Sequence, residues 1–492
     1  MKFFLLFTSL LIGTVYGQNE EDALRYSTDA IGGTARNMSM AGSMTALGGD
    51  FSAALQNPAS MGKFNKGNFS FTPFVEHNLT KSSYQGNDLN RNRTNLKLGN
   101  ISLLKAYQLK PQLNGGWISM QLGAGYNRTQ TYNERFRYSG TSETSIIDYF
   151  TNEAYGINEE DISGTYGYSS GLAYLTFAID PDLDDNNTTY YESAKSGASL
   201  QNRSVESEGG MGEFNFVMSG NYKNKLLVGG SINIVTLEYY TSFDHLETFD
   251  QESSFINSIR YTGYLDSEGT GINAKLGAIY IPIEFIRLGL AVETPTRLSM
   301  TEYFGNDMIT DDDISINTLG NSGGAPTGSF DYIIRTPAKA NVSLALLFKK
   351  IGSLSAEVEI VDYSLAHMKS LRNSGANFYP FQDENDQIEN LYRTAFNIKI
   401  GAEARLTQQL YLRGGYAQFE SAYKPEKEIF NPSVQFFTGG IGYNFGNTYV
   451  DFATVVKHSQ NDYHAYDPTL NGSTARIDQF KTQYALTFGY RF

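Results

Sequence analysis

The stretch "FKTQYALTFGYRF", residues 480–492, alternates with a period of two. Phe480, Thr482, Tyr484, Leu486, Phe488, Tyr490 and Phe492 form one series, and Lys481, Gln483, Ala485, Thr487, Gly489 and Arg491 the other. A strand sends successive side chains to opposite faces, so this segment has one apolar and one small or polar face. In a soluble sandwich the apolar face points inward; in a membrane barrel it points into lipid and the polar face lines the lumen. Local alternation does not choose between them.

Other segments repeat the pattern. Phe214, Phe216 and Met218 oppose Glu213, Asn215 and Ser219; Ile272, Ala274, Leu276 and Tyr280 oppose Asn273, Lys275 and Gly277. Phe396, Ile398 and Ile400 oppose Asn397, Lys399 and Glu403, and Leu354, Ala356, Val358 and Ile360 oppose Glu357 and Glu359. Fourteen strands are predicted, starting near residues 67, 94, 115, 211, 225, 270, 284, 336, 353, 394, 408, 434, 447 and 478. Tight turns ("LKPQLNGG", "YKNK", "IPIE", "KKIGS", "RLTQQ", "FGNT") alternate with long connections, the first of about 16 residues and the longest at 127–210. All the tight turns then fall at one end, as in outer-membrane barrels with short periplasmic turns and long external loops. Closure also removes the aggregation-prone edges of a wide sheet.

Composition agrees. The 492 residues hold 34 Tyr, 32 Phe and 48 Gly but one Trp and no cysteine, with a formal net charge of -14. Aromatic and glycine enrichment suits many strands with interfacial girdles, and an acidic chain with few basic clusters disfavours nucleic acid as a partner. "MKFFLLFTSLLIGTVYG" reads as a signal peptide cut after Gly17, since its apolar run is too short to span a bilayer. The expected fold is therefore all-β: a transmembrane antiparallel barrel of about 14 strands over 63–492, preceded by a signal peptide at 1–17 and a segment at 18–62. That segment does not alternate; Met40, Met44 and Leu47 have helical spacing between glycine pairs, which suits a plug inside the lumen.

"GGTARNMSMAGSMTALGGDFSAALQNPASM" resembles the N-terminal hatch of the FadL-type long-chain fatty-acid transporters, above all in the Asn57-Pro58-Ala59 box. "LAVETPTRLSM", "RTPAKANVSLALLF", "EVEIVDYS" and "LRGGYA" are also similar to that family. The resemblance implies a monomeric outer-membrane barrel closed by a hatch, which takes up long-chain fatty acids or similar hydrophobic small molecules. It implies capture by external loops, a pocket beside the hatch and lateral exit into outer-membrane lipid. An apolar conduit keeps such a molecule buried, at ~25 cal/mol per Å². Candidate pocket residues are Met38, Met40, Met44, Leu47 and Phe51, methionine being adaptable to varied apolar shapes. Candidates for an external capture groove are Ile146, Phe150, Leu172, Leu175 and Phe177, although these side chains are equally suited to capping the barrel.

A wall opening needs a kink or bulge. The apolar phase shifts from Leu96 and Leu98 to Ile101 and Leu103, marking Gly99-Asn100. In the family the kink lies in the third strand, where Gly123 and Gly125 share a face; the sequence leaves both open. Asp180, Asp182 and Asp184 are spaced like calcium ligands but lack the glycine and distal glutamate of an EF-hand loop, and "DMITDDD" (307–313) reads likewise as a solvated acidic loop. No metal or cofactor is expected. His77, His245, His367, His458 and His464 sit in no nucleophile motif and GxSxG does not occur, so an enzyme is not expected. A different reading of a FadL-like barrel is a secretion-system subunit that docks cargo.

Overall fold

A computed structural model describes residues 19–110, 112–182, 191–195, 197–249, 256–310, 326–349, 351–371, 379–427, 429–466 and 474–492. The signal peptide, Asp184 and residues 311–313 of the second acidic loop lie outside the described residues.

Fourteen antiparallel strands form the wall: β1 (Asn68–Tyr84), β2 (Asn87–Gln108), β3 (Trp117–Thr131), β4 (Ser199–Tyr222), β5 (Leu226–Phe249), β6 (Ser258–Ile283) and β7 (Ile286–Glu293), then β8 (Lys339–Phe348), β9 (Gly352–Asp362), β10 (Thr394–Arg405), β11 (Leu410–Phe419), β12 (Val434–Asn444), β13 (Thr448–Tyr463) and β14 (Ala475–Arg491). Each pairs with the next, and β14 pairs back to β1 from Asn68↔Arg491 to Ser83↔Arg476, closing the cylinder. Seven of the fourteen predicted strand starts fall within these strands and the other seven one to three residues before one.

The faces of the terminal segment are settled by exposure. Phe480, Tyr484, Phe488, Tyr490 and Phe492 are exposed, whereas Lys481, Gln483 and Thr487 are buried. The same division holds in β4, β6 and β10, where Phe216, Leu276 and Ile400 face out and Asn215, Lys275 and Lys399 face in. A barrel whose apolar rows face outward is dressed for lipid.

One expected loop is corrected. The first connection is not a loop of about 16 residues: β1 and β2 continue as a hairpin closed by Gln85 (φ +48°) and Gly86 (φ +79°), the paired left-handed conformations of a type I′ turn. Three further external connections, β3–β4, β7–β8 and β9–β10, are also partly strand. Glu134–Ser142 pairs with the outer part of β4, Arg297–Thr310 with the outer part of β6, and Thr327–Arg335 with Arg297–Thr310 and with His367–Ser370. The wall thus rises beyond the lipid band, where water on both faces removes the need for alternation.

The chain before β1 runs inside the cylinder. Its short helices are α1 (Glu20–Arg25) and α2 (Ala35–Ser39), followed by 3-10 turns at Phe51–Leu55 and Pro58–Lys63. Its hydrogen-bond partners on the wall include the Thr129 carbonyl of β3, Lys275 of β6, Ser355 of β9, Glu403 of β10, Thr438 of β12 and Thr487 of β14.

Candidate functional site

The leading segment is fixed from its lower end. Asn57 caps the turn Pro58–Lys63: its Oδ1 accepts from Ala59 N at 3.0 Å, while Pro58 presets the first turn position. The box sits on two glycines of the wall. A Cβ on Gly277 would lie 2.0 Å from Asn57 Oδ1, and one on Gly229 2.6 Å from the Pro58 carbonyl carbon. Buried ion pairs hold the next stretch. Arg36 meets Glu403 at 3.1 Å; Glu403 also meets Arg413 at 2.7 Å, and Arg413 meets Asp451 at 2.6 Å. Thr45 donates to Glu357 at 2.6 Å, and Glu357 pairs with Lys399 at 3.1 Å. Asp50 accepts from Thr34 Oγ1 at 2.7 and 2.8 Å; burial nonetheless raises its carboxyl above the ordinary range.

The five candidate pocket residues do not share one pocket. Met40, Met44 and Leu47 pack with Ala46, Ala53 and Ala345. Phe51 packs with Ala54, Met61, Leu104 and Val217. Met38 belongs to a third cluster with Ile31, Phe74, Phe436 and Val455, and it alone of the five lines the cavity that opens toward the wall. That cavity, of about 10 Å³, is bounded by Ala30–Gly33, Met38, Phe74, Arg128–Thr131 and Gln483. It has room for about one water molecule.

Beside this cavity the wall is not zipped. β2 and β3 pair from Gln108↔Ser119 up to Asn100↔Asn127 and no further. Above that point β2 continues to pair with β1 and β3 with β4, so the β2 edge over residues 87–99 has no ladder partner on the β3 side among the described residues. Gly99 is the extra residue of a bulge, since Thr72 faces Asn100 and Pro73 faces Leu98. Neighbouring Leu96 is 72% exposed and lies across from Val75, itself opposite Tyr484, which places the gap within the lipid-facing band. An unpaired edge at that depth is tolerated only where protein covers it or a path runs through it. Here the leading segment covers it: Ala30 N donates to the Thr129 carbonyl at 2.8 Å, and the Gly33 carbonyl lies 3.1 Å from where a Gly99 Cβ would be. Arg128 Nε donates to the Leu98 carbonyl across the gap at 3.1 Å. Arg93 spans the top, 2.8 Å from Glu206 and 2.6 Å from Glu208.

The two wall candidates thus separate. Gly99 and Asn100 sit where the ladder ends. Gly123 and Gly125 lie in unbroken ladders on both sides, to Leu104 and Ser102 and to Val217 and Asn215. Their small size has another cause: a Cβ on Gly125 would lie 2.7 Å from the Phe51 ring, and one on Gly123 3.0 Å from it.

Outside, α3 (Ile146–Ala154), α4 (Glu159–Thr165) and α5 (Ser170–Leu175) form a cap. Ser145 caps α3, and Glu247 of β5 accepts from Ser145 Oγ and, at 2.9 Å, from Ile146 N. Ile146, Phe150 and Leu172 are buried in the cap core with Ile162, Ile259 and Met308. Leu175 is half-buried and Phe177 is 47% exposed, so only these two of the five offer apolar surface. Asp180 and Asp182 belong to the same region, and no cluster of metal-ligating side chains occurs among the described residues.

Around α1 lies a packed apolar cluster, a filled chamber that sequence reasoning missed. Tyr132, Met211, Tyr239, Met300, Tyr332, Met368, Phe381 and Tyr392 pack with Ala23 of α1 and with Tyr26, its C-cap. Tyr26 meets the Tyr132 and Tyr239 rings edge-on at 6.1 and 6.2 Å, and the Arg25 guanidinium lies 4.7 Å over the Tyr239 ring. Tyr392 OH donates to the Glu20 carbonyl at 3.0 Å. Burial, with Glu21, Asp22 and Glu384 nearby, pushes the Glu20 carboxyl up to about 7. These residues come from widely separated strands and loops, so no local pattern announces them.

Comparison with solved structures identifies the architecture. A Pseudomonas aeruginosa FadL homologue matches with a TM-score of 0.55 at 14% identity, over 95% of this chain and 100% of that one. The Pseudomonas putida toluene transporter TodX matches at 0.52 and 14%, again over 95% and 100%. The fold is that of the FadL-type barrels. No protein-family model and no curated protein sequence matches the chain.

Proposed function

We propose that this protein is an outer-membrane channel for passive uptake of hydrophobic small molecules, with residues 18–62 as its hatch and the β2–β3 gap as its lateral exit. One observation carries the reading: an unpaired strand edge at lipid depth is covered from inside by a segment that does not belong to the wall. That TodX, a barrel of the same fold, is a toluene transporter supports the same substrate class. Molecules enter past Leu175 and Phe177, replace α1 in the tyrosine- and methionine-lined chamber, and pass Met38 to the gap. The cavity there is too small for any organic substrate, so Ala30–Gly33 must move for passage. The box at Asn57-Pro58-Ala59 stays seated while this upper end swings. Long-chain fatty acids and monoaromatic hydrocarbons both fit such a conduit, and the protein acts alone, as a monomer, without cofactor or catalysis.

Uptake of radiolabelled palmitic acid, hexadecane and toluene into cells with and without the protein tests the reading. Faster entry of at least one compound is expected. Equal rates for all three, together with co-purification of a large exported protein on the barrel, would instead make it a cargo-docking subunit.

A further inference from the structure

Many lumenal cations of this barrel have carboxylate partners. Lys275 lies 2.9 Å from Glu213 and 3.2 Å from Glu293, and Lys399 3.1 Å from Glu357 and 3.3 Å from Glu359. The pattern breaks at the lower end, where the leading segment turns at Leu47-Gly48-Gly49. Three cations converge on this corner. Arg36 Nη1 donates to the Gly49 carbonyl at 3.0 Å, Arg287 Nη1 donates to the Leu47 carbonyl, and Lys63 Cγ lies 3.1 Å from where a Gly48 Cβ would be. Arg36 is paired with Glu403. Among the described residues, neither Arg287 nor Lys63 has a carboxylate oxygen within 4.0 Å.

The two unpaired cations come from different parts of the molecule. Arg287 is the second residue of β7 and only 8% exposed. Lys63 ends the turn Pro58–Lys63 of the leading segment, outside the membrane-spanning strands. Burial, and then the nearby Arg287 charge, push the Lys63 ammonium down to about 8, which leaves it charged at neutral pH. The charged neighbour that bears on Arg287 is Arg36, another cation. Two donors are also unspent: buried Arg287 Nε and Ser60 Oγ have no hydrogen-bond partner among the described residues. Ser60 belongs to the same corner, its Cα 3.4 Å from the Gly48 Cβ position. A buried donor left unpaired is costly, and a buried cation without a counter-charge more so.

A guanidinium, an ammonium and a hydroxyl at one corner suit an oxyanion, since all three donate hydrogen bonds and two of the bonds are charge-assisted. Two uncompensated charges match a phosphate group, which carries about -1.5 to -2 at neutral pH, better than a carboxylate with one. The corner is within reach of the lower rim: Lys63 is half-buried, and Arg287 stands just after the tight turn that joins β6 to β7.

We propose that Arg287, Lys63 and Ser60 bind a phosphate group at the lower end of the lumen, bridging the wall to the leading segment. The group comes from phosphate in solution or from the headgroup of a phosphate-bearing lipid. The site is independent of the β2–β3 gap and of what the barrel carries.

The test uses the full-length protein in a maltoside detergent. Calorimetric titration with inorganic phosphate at constant ionic strength reads the soluble source. Native mass spectrometry with phosphatidic acid against diacylglycerol, the same lipid without phosphate, reads the other. Saturable binding of inorganic phosphate, or retention of phosphatidic acid over diacylglycerol, is expected, and the probe that binds names the source. In Arg287→Gln/Lys63→Gln the dissociation constant is expected to rise at least about tenfold, on the order of one charge-assisted hydrogen bond. Arg287→Lys/Lys63→Arg, which keeps both charges, is expected to stay close to the parent. Lys63→Gln alone, at a half-buried position, serves if the double variant does not fold. Failure of both probes to bind the parent would overturn the proposal, as would an unchanged constant in the Gln variants.

Discussion

The barrel has two seams of special kind, and they behave differently. The seam that closes the cylinder, β14 to β1, is paired along nearly its whole length, from Asn68↔Arg491 to Ser83↔Arg476. The seam between β2 and β3, an ordinary sequential neighbour pair, stops at Asn100↔Asn127. A closure made between residues 393 to 423 positions apart is continuous, and one made across a short turn is broken. Sequence proximity therefore does not decide where a wall is tight. What decides it is whether the edge is given a ladder partner or a cover from the leading segment: at the second seam Ala30 N takes the Thr129 carbonyl in place of a strand.

The largest expected effect comes from fastening the broken seam. The chain has no cysteine, so a pair introduced as Ala30→Cys/Thr129→Cys is free to form one bond across adjacent backbones. Uptake of the hydrophobic probe is expected to fall more than about tenfold when oxidised and to recover on reduction, if passage needs Ala30–Gly33 to move. A control pair, Ala46→Cys/Gly289→Cys, joins positions whose Cβ atoms would be 3.3 Å apart at the lower end, and its oxidation should leave uptake unchanged. Loss in both would erase the distinction between a moving upper end and a seated lower one.

Next in size is Glu403→Ala, which strands Arg36 and Arg413 without their shared carboxylate. Removing one side of a buried pair costs about 3–5 kcal/mol, and the denaturant midpoint of the folded barrel should drop accordingly. Smaller again is Gly125→Val, placed where the β2–β3 seam is whole. Its Cβ would lie 2.6 Å from Ser102 Cβ and 2.7 Å from the Phe51 ring, an overpacking worth about 1–3 kcal/mol. A denaturation midpoint equal to the parent's would show that Phe51 does not press on that wall.

The smallest effect is a pH dependence at the top of the lumen. Glu20 titrates near 7 when α1 is docked and near 4.5 when released. Both forms are protonated below 4.5, so docking is then tightest; between about 4.5 and 7 the free carboxylate ionises first and docking weakens. Amide exchange in α1 is expected to accelerate across that window beyond its intrinsic pH trend, and Glu20→Gln should flatten the excess. An excess that survives the substitution would assign the effect to another group.

Much of the lipid-facing wall was legible in the sequence because each strand there separates lipid from lumen and must alternate. Above the lipid band the rule lapses. "DLNRNRTN", residues 88–95, is polar on both faces, and the β1–β2 hairpin it belongs to was read as a loop. The bulge at Gly99 was visible as a phase shift, since Leu96 and Ile101 face the same lipid from opposite parities. The end of the ladder beyond it was not, because register between two strands is written in neither alone. Gly123 and Gly125 misled for a related reason: a missing side chain makes room for a kink or for the Phe51 ring alike. The box at Asn57-Pro58-Ala59 was legible, but not its seat on Gly229 and Gly277. The methionines suggested one greasy pocket, and they fell into three clusters because α2 and the turns after it point successive apolar residues at different walls.

The bond from Ala35 N to Thr487 Oγ1, at 2.7 Å, joins the leading segment to the last strand. The peptide that precedes the first strand is therefore bonded to the strand that completes the wall. A chain deprived of its first sixty residues would be left to close around the naked charges of Glu357, Lys399 and Glu403, and its slow or failed insertion would report that debt during biogenesis, before any transport is measured.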